Sequence, residues 1–175
     1  MPRDPRGEGG GVSVTISTSG VNHQGYKQDL INIAMLTLRN IIDDDCRSWL
    51  QGGEVNNFDV FTQNLVDNGV VGHGSITTTQ TNTTINAVTN PPDAPGLSIV
   101  INDSGAFYNS GASTDNEKIP GGTLAADVFI LLHEYAHLNR VPGFENDAGD
   151  SGAGRRNNNR VEEHCSKTLG KEVLR

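Results

Sequence analysis

Between Thr123 and Leu138 the chain reads TLAADVFILLHEYAHL, a run of helix formers and apolar residues into which His133, Glu134 and His137 are set. No other segment constrains the fold as much. A helix this apolar has to lie in a core, and its polar side chains then need partners there. Thr123 is the expected N-cap, and Pro142-Gly143 is the pair expected to close the helix. Residues four apart lie one turn above each other, so the imidazoles of His133 and His137 point at one spot. Neutral imidazole suits Zn²⁺, and Glu134 sits on the flank of the same face, within reach of a water at such a metal. Glu134 is therefore the candidate general base. The bland alternative, two surface histidines on an amphipathic helix, supplies no partners for these groups.

The rest of the chain alternates between the two periodicities of regular structure. VSVTIST, residues 12–18, has the period of a half-buried strand. From Tyr26 to Leu50 the apolar positions Leu30, Ile31, Ala34, Leu36, Ile41 and Ile42, then Trp49 and Leu50, predict helix, broken or re-capped at Asp43-Asp44-Asp45. A shorter helix is expected from Phe58 to Asp67, ending at Asn68-Gly69. The Thr-rich section GSITTTQTNTTINAV predicts a hairpin turning near Thr81-Asn82, and LSIVIN, Leu97 to Asn102, is the most apolar strand candidate. Residues 109–122 read as a polar loop. Asn157 to Leu169 reads as a last helix with Val161, Cys165 and Leu169 on one stripe. The fold class expected is α+β: a single domain with a small mixed or antiparallel sheet, N-terminal helices, the His-bearing helix and a C-terminal helix. Residues 1–11, rich in Pro, Gly and charge, are expected to be a flexible tail ahead of a domain spanning 12–175.

With 175 residues the chain suits one domain, and its formal charge of -8 argues against nucleic-acid or anionic-membrane partners, which select clustered Lys and Arg. No apolar run approaches the roughly 18 residues needed to span a bilayer, and MPRDPRGEGGG lacks the apolar core of a signal peptide. A cytosolic protein, a mature secreted domain and a toxin-like domain released from a larger polypeptide all fit this; a mature extracellular domain is the expectation carried forward. Cys46 and Cys165 fall on separate predicted helices. A disulfide between them would close a long loop and imply an oxidising compartment, and the alternative is two buried thiols.

The His-Glu-x-x-His helix resembles that of the zincins, the broad class of zinc metallopeptidases. The resemblance covers this helix and reaches toward the C-terminus. It implies hydrolysis of peptide bonds on an α+β fold, with His133 and His137 as zinc ligands and Glu134 as base and proton shuttle. It also implies a strand ahead of the helix bordering the substrate cleft, and LSIVIN stands in that order.

Within that class the subclass turns on the third ligand. The metzincin pattern wants Gly at Arg140 and His at Gly143, and the snapalysin-like pattern wants Asp at Gly143, so neither fits. The Gly-Cys-Leu segment of the deformylases is also missing. A thermolysin-like arrangement draws a Glu from a later helix, where Glu162 and Glu163 stand. An aspzincin-like arrangement draws an Asp from the following loop, where Asp147 and Asp150 stand. Asp147 follows His137 by ten residues, with about 20 Å of extended chain past the helix end, enough to fold back onto a metal. Asp147 is the first choice, with Asp150, Glu162 and Glu163 left open. Tyr108, His164, Arg140 and His73 are the candidates for steadying an oxyanion. The expectation is thus a monomeric, Zn²⁺-dependent metallopeptidase acting on a protein or peptide, with Glu134 activating a zinc-bound water. Its alternatives are a zinc-binding domain without catalysis and a hydrolase of another amide, such as a peptidoglycan-type or effector substrate.

Overall fold

The computed structural model describes residues 12–14, 21–78, 85–90, 98–114, 119–148 and 150–173. The expected N-terminal tail and the turn expected at Thr81-Asn82 lie outside them. Helix α1 (Val21–Ile41) forms because Ile31, Ala34, Met35, Leu38 and Ile41 recur at helical spacing, and all five are buried. Leu36, expected on that face, instead points outward and is 55% exposed, because Met35 and Leu38 occupy the inner stripe. The acidic run re-caps the chain: the Asp43 carboxylate accepts hydrogen bonds from the backbone N–H groups of Asp45 and Cys46 and starts α2 (Asp44–Leu50). Helix α3 (Phe58–Asp67) begins under an Asn57 cap and buries Phe58, Phe61 and Leu65.

Strand β1 (Val12–Val14) pairs antiparallel with β3 (Ile76–Thr78), apart from the main sheet. The main sheet places β5 (Ile99–Asn102) centrally, between parallel β2 (Val71–Gly74) and antiparallel β4 (Ala87–Thr89). Among the described residues β3 and β4 do not pair as the expected hairpin requires, since they belong to different sheets. The reason is that β4 finds a better partner in apolar β5, whose four residues are all buried. Ile99–Asn102, the described strand of LSIVIN, fills the middle of the sheet, and β4 takes the outer place beside the long apolar helix α4 (Leu124–Leu138).

Thr123 caps α4 as expected, its hydroxyl accepting from Ala126 N–H at 3.2 Å. The helix stops before Pro142-Gly143, at Asn139. Arg140 then adopts a left-handed φ of 49°, and the N–H groups of Arg140 and Val141 turn back to the carbonyls of His137 and Ala136. Asn139, almost fully buried, holds this end: its side chain donates to the carbonyls of Leu50 and Val55 and accepts from Val55 N–H. Gly53 crosses here so closely that a Cβ would lie 1.9 Å from the Asn139 carbonyl oxygen, which only glycine permits.

Helix α5 (Ser151–Val173) starts six residues before the predicted Asn157, because Asp150 caps it by accepting from Gly152 and Ala153 N–H. Val161, Cys165 and Leu169 form the buried stripe that was expected. Cys46 and Cys165 are joined in a disulfide across 119 residues, welding α5 to α2. Asp43 and Thr168 exchange hydrogen bonds beside it, and Lys167 pairs with Asp45. One hydrophobic core runs from α1 through the sheet to α4 and α5.

Asp127, in the first turn of α4, is 7% exposed, and one of its carboxylate oxygens has no hydrogen-bond partner among the described residues. Burial pushes its pKa up to about 8. The folded state therefore holds a proton that the unfolded chain releases near pH 4, so stability falls as pH rises from about 4 to about 8 and levels off above. Urea unfolding of the wild type should lose several kcal/mol across that window, up to about 5, a loss much reduced in Asp127→Asn. Parallel pH dependence in the two proteins would contradict this assignment.

Candidate metal centre

α4 presents His133 and His137 one turn apart at its C-terminal end, and the chain leaving it returns to the same place. After the turn at Val141, Phe144 lays its ring edge-on against both imidazoles, with centroids 5.1 and 4.7 Å from His133 and His137. Three residues later Asp147 meets them. Its Oδ2 lies 3.0 Å from His133 Nε2, its Oδ1 lies 3.1 Å from His137 Nε2, and the two Nε2 atoms are 3.1 Å apart. Three ligand atoms thus converge within 4.8 Å of one another, the one group among the described residues with the make-up of a metal site. Tetrahedral zinc at its usual bond lengths sets neighbouring ligand atoms about 3.3 Å apart, so the triangle needs only slight widening to admit the ion.

A second layer of residues fixes this convergence. Asn158 Oδ1 lies 2.8 Å from His133 Nδ1, so Nδ1 carries the proton and Nε2 turns its lone pair toward the centre. Asn157 is fully buried and accepts from Glu145 N–H. Its amide nitrogen donates to the Glu145 carbonyl at 2.9 Å and to Asp147 Oδ2 at 3.1 Å. Neighbouring positions at the start of α5 therefore hold one imidazole and the one carboxylate. The loop is further stitched to α5 by the paired Glu145–Arg156 bonds, both 2.7 Å.

The electrostatics agree with the geometry. Burial opposes ionisation of Asp147, but hydrogen bonds and charge from His133 and His137 outweigh it and hold the carboxyl well below the usual carboxylate range. Burial opposes charging His133 as well, yet bonding to Asp147 and the charges of Glu134 and Asp147 raise its pKa. Both shifts have one cause: the carboxylate and the imidazoles face each other, so each favours the charged form of the other.

Glu134, which follows His133 on α4, is 6% exposed. Its Oε2 accepts a 2.6 Å hydrogen bond from the Thr89 hydroxyl on β4. The alternative ligands are placed elsewhere. Asp150 is committed to capping α5, Glu162 lines a surface groove with Arg155 and Asn159, and Glu163 lines another with Trp49 and His164. The four oxyanion candidates are engaged elsewhere as well. Arg140 pairs with Glu54 at 2.7 Å, His164 stacks on Trp49, His73 bonds Asp103, and the Tyr108 hydroxyl donates to the Lys27 carbonyl. Burial, with the charges of Asp103 and Asp127, pushes that hydroxyl far above the usual phenol range.

Sequence reasoning missed Thr89, Phe144, Asn157 and Asn158. The Asn run was the available signal, since a predicted helix with three consecutive Asn is spending helix propensity on something else.

No protein-family model, curated protein or solved structure matches this chain.

Zinc titration against a competing chromophoric chelator tests the ligand set. His133→Ala, His137→Ala and Asp147→Ala should abolish tight binding, and Asn158→Ala should weaken it by about 10- to 100-fold. Asp150→Ala, Glu162→Ala and Glu163→Ala should bind as the wild type does. Retention by Asp147→Ala would exclude the trio.

Proposed function

We propose that the protein is a zinc-dependent hydrolase of peptide bonds, a metallopeptidase of the zincin kind acting on a protein or peptide substrate. The observation that carries this reading is the convergence of His133, His137 and Asp147 beside a buried glutamate on the same helix. Two imidazoles and one carboxylate suit a borderline-soft divalent ion, and zinc brings no redox chemistry to a hydrolytic site. No fourth His, Cys, Asp or Glu joins the group among the described residues, and both cysteines are in the disulfide. The three side chains are 13%, 17% and 22% exposed, so the centre is reachable from solvent. Three protein ligands with an accessible remaining position are the pattern of catalytic rather than structural zinc.

When bound, zinc would polarise the scissile carbonyl and make a water acidic enough to attack near neutral pH. The chain's own residues do the rest. His133 and His137, through Nε2, and Asp147 would hold the ion. Asn157 and Asn158 keep these ligands from turning away. Glu134 accepts a proton from the attacking water and returns it to the departing amine nitrogen. Phe144 covers one side of the imidazoles and excludes water there.

Glu134→Gln separates base from ligand, because the amide keeps the shape and loses the proton acceptor. The variant should bind zinc as the wild type does and cleave a denatured protein at least about 100-fold more slowly. Equal rates for the two proteins would sink the proposal.

A further inference from the structure

We propose that Thr89 is a positioning residue for Glu134, selecting which carboxylate oxygen serves as the proton acceptor; the inference rests on the hydrolase reading above. Glu134 is nearly buried, and a buried carboxylate without a donor is strongly disfavoured. Thr89 supplies that donor. It is the last residue of β4, paired opposite Ile99 of the central strand, so its hydroxyl projects from a sheet position rather than from a loose loop. The hydroxyl donates to Glu134 Oε2 at 2.6 Å, while the backbone carbonyl of Glu134 lies farther away, at 3.4 Å. Oε2 is the bonded oxygen, and the donor stands on a different element from the helix that carries the ligands.

This has a chemical consequence. A glutamate side chain has three rotatable bonds, and a base that samples them all spends little time facing the water it must deprotonate. With Oε2 fixed from the sheet, Oε1 is the oxygen left to accept the proton. The carboxylate belongs to the residue next to His133 on α4, so it is carried by the same turn as that ligand. The proton passes from the attacking water to Oε1 and then to the amine nitrogen of the leaving group. Thr89 keeps its own proton throughout and touches neither substrate nor metal. β4 is also the strand packed against α4, so the sheet sets the base while the α5 side sets the ligands.

The test compares Thr89→Val, which keeps the shape and removes the hydroxyl, with Thr89→Ser, which keeps the hydroxyl and removes a methyl. Both are assayed on the zinc-loaded full chain with a fluorogenic peptide. Thr89→Val should lower kcat by about 10- to 100-fold with KM and zinc content within about twofold of wild type, and Thr89→Ser should restore kcat to within about threefold. A wild-type kcat in Thr89→Val, a loss confined to KM, or a Ser variant as impaired as the Val variant would overturn the assignment. A wild-type protein that binds zinc but cleaves nothing overturns the hydrolase reading itself. An active wild type indifferent to Thr89→Val overturns only the role of Thr89.

Discussion

Two imidazole nitrogens and a carboxylate are held about 3 Å apart, facing a common point, and much of the structure exists to keep them there. Left to themselves such groups separate into water, where each is better solvated. Here they are prevented on three sides. α4 sets the histidines one turn apart, the loop through Phe144 brings Asp147 back over them, and α5 bonds to a member of each with Asn157 and Asn158.

α5 is therefore the part on which the rest leans, and its fixation is unusually explicit. Near its start it is tied to the loop by Glu145–Arg156 and Glu145–Asn157. In its second half it is tied to α2 by the disulfide, by Thr168 with Asp43 and by Lys167 with Asp45. A bridge across 119 residues limits the unfolded chain strongly, worth about 4 to 5 kcal/mol in the chain-entropy view. The Lys167–Asp45 ion pair beside it is exposed and adds little. What the bridge secures for the site is indirect: it keeps the helix that carries Asn157 and Asn158 against the core.

The parts of this arrangement legible in the sequence are those written in local spacing. His133 and His137 are neighbours on any helix, and an apolar stretch with a Thr cap can hardly be anything else. Asp147 was reachable because ten residues of Pro- and Gly-containing loop bound where the chain can go. Asp43 as a break in the first helical run and the Cys46–Cys165 pairing follow from similarly simple signals. The remainder depends on choices between distant partners. β4 might have paired with β3 across a turn, and its capture by β5 is decided by the burial of Ile99 to Ile101, which a Thr-rich string does not announce. Thr89 is one threonine among many in that string. Only its place at the end of β4, opposite Glu134, distinguishes it. Asn157 and Asn158 stand on a helix that the sequence does show, but their partners His133, Glu145 and Asp147 come from another helix and a loop, which spacing along α5 does not announce.

On the proposed reading, one metal ion sits among His133, His137 and Asp147 with a position left for a non-protein ligand. X-ray absorption at the zinc edge on the zinc-loaded protein tests it most directly. The expected result is one zinc per chain in a shell of nitrogen and oxygen only, with outer-shell scattering from two imidazoles, and loss of that spectrum in Asp147→Ala. A sulfur-containing shell, scattering from more than two imidazoles, or an unchanged spectrum in Asp147→Ala would contradict it.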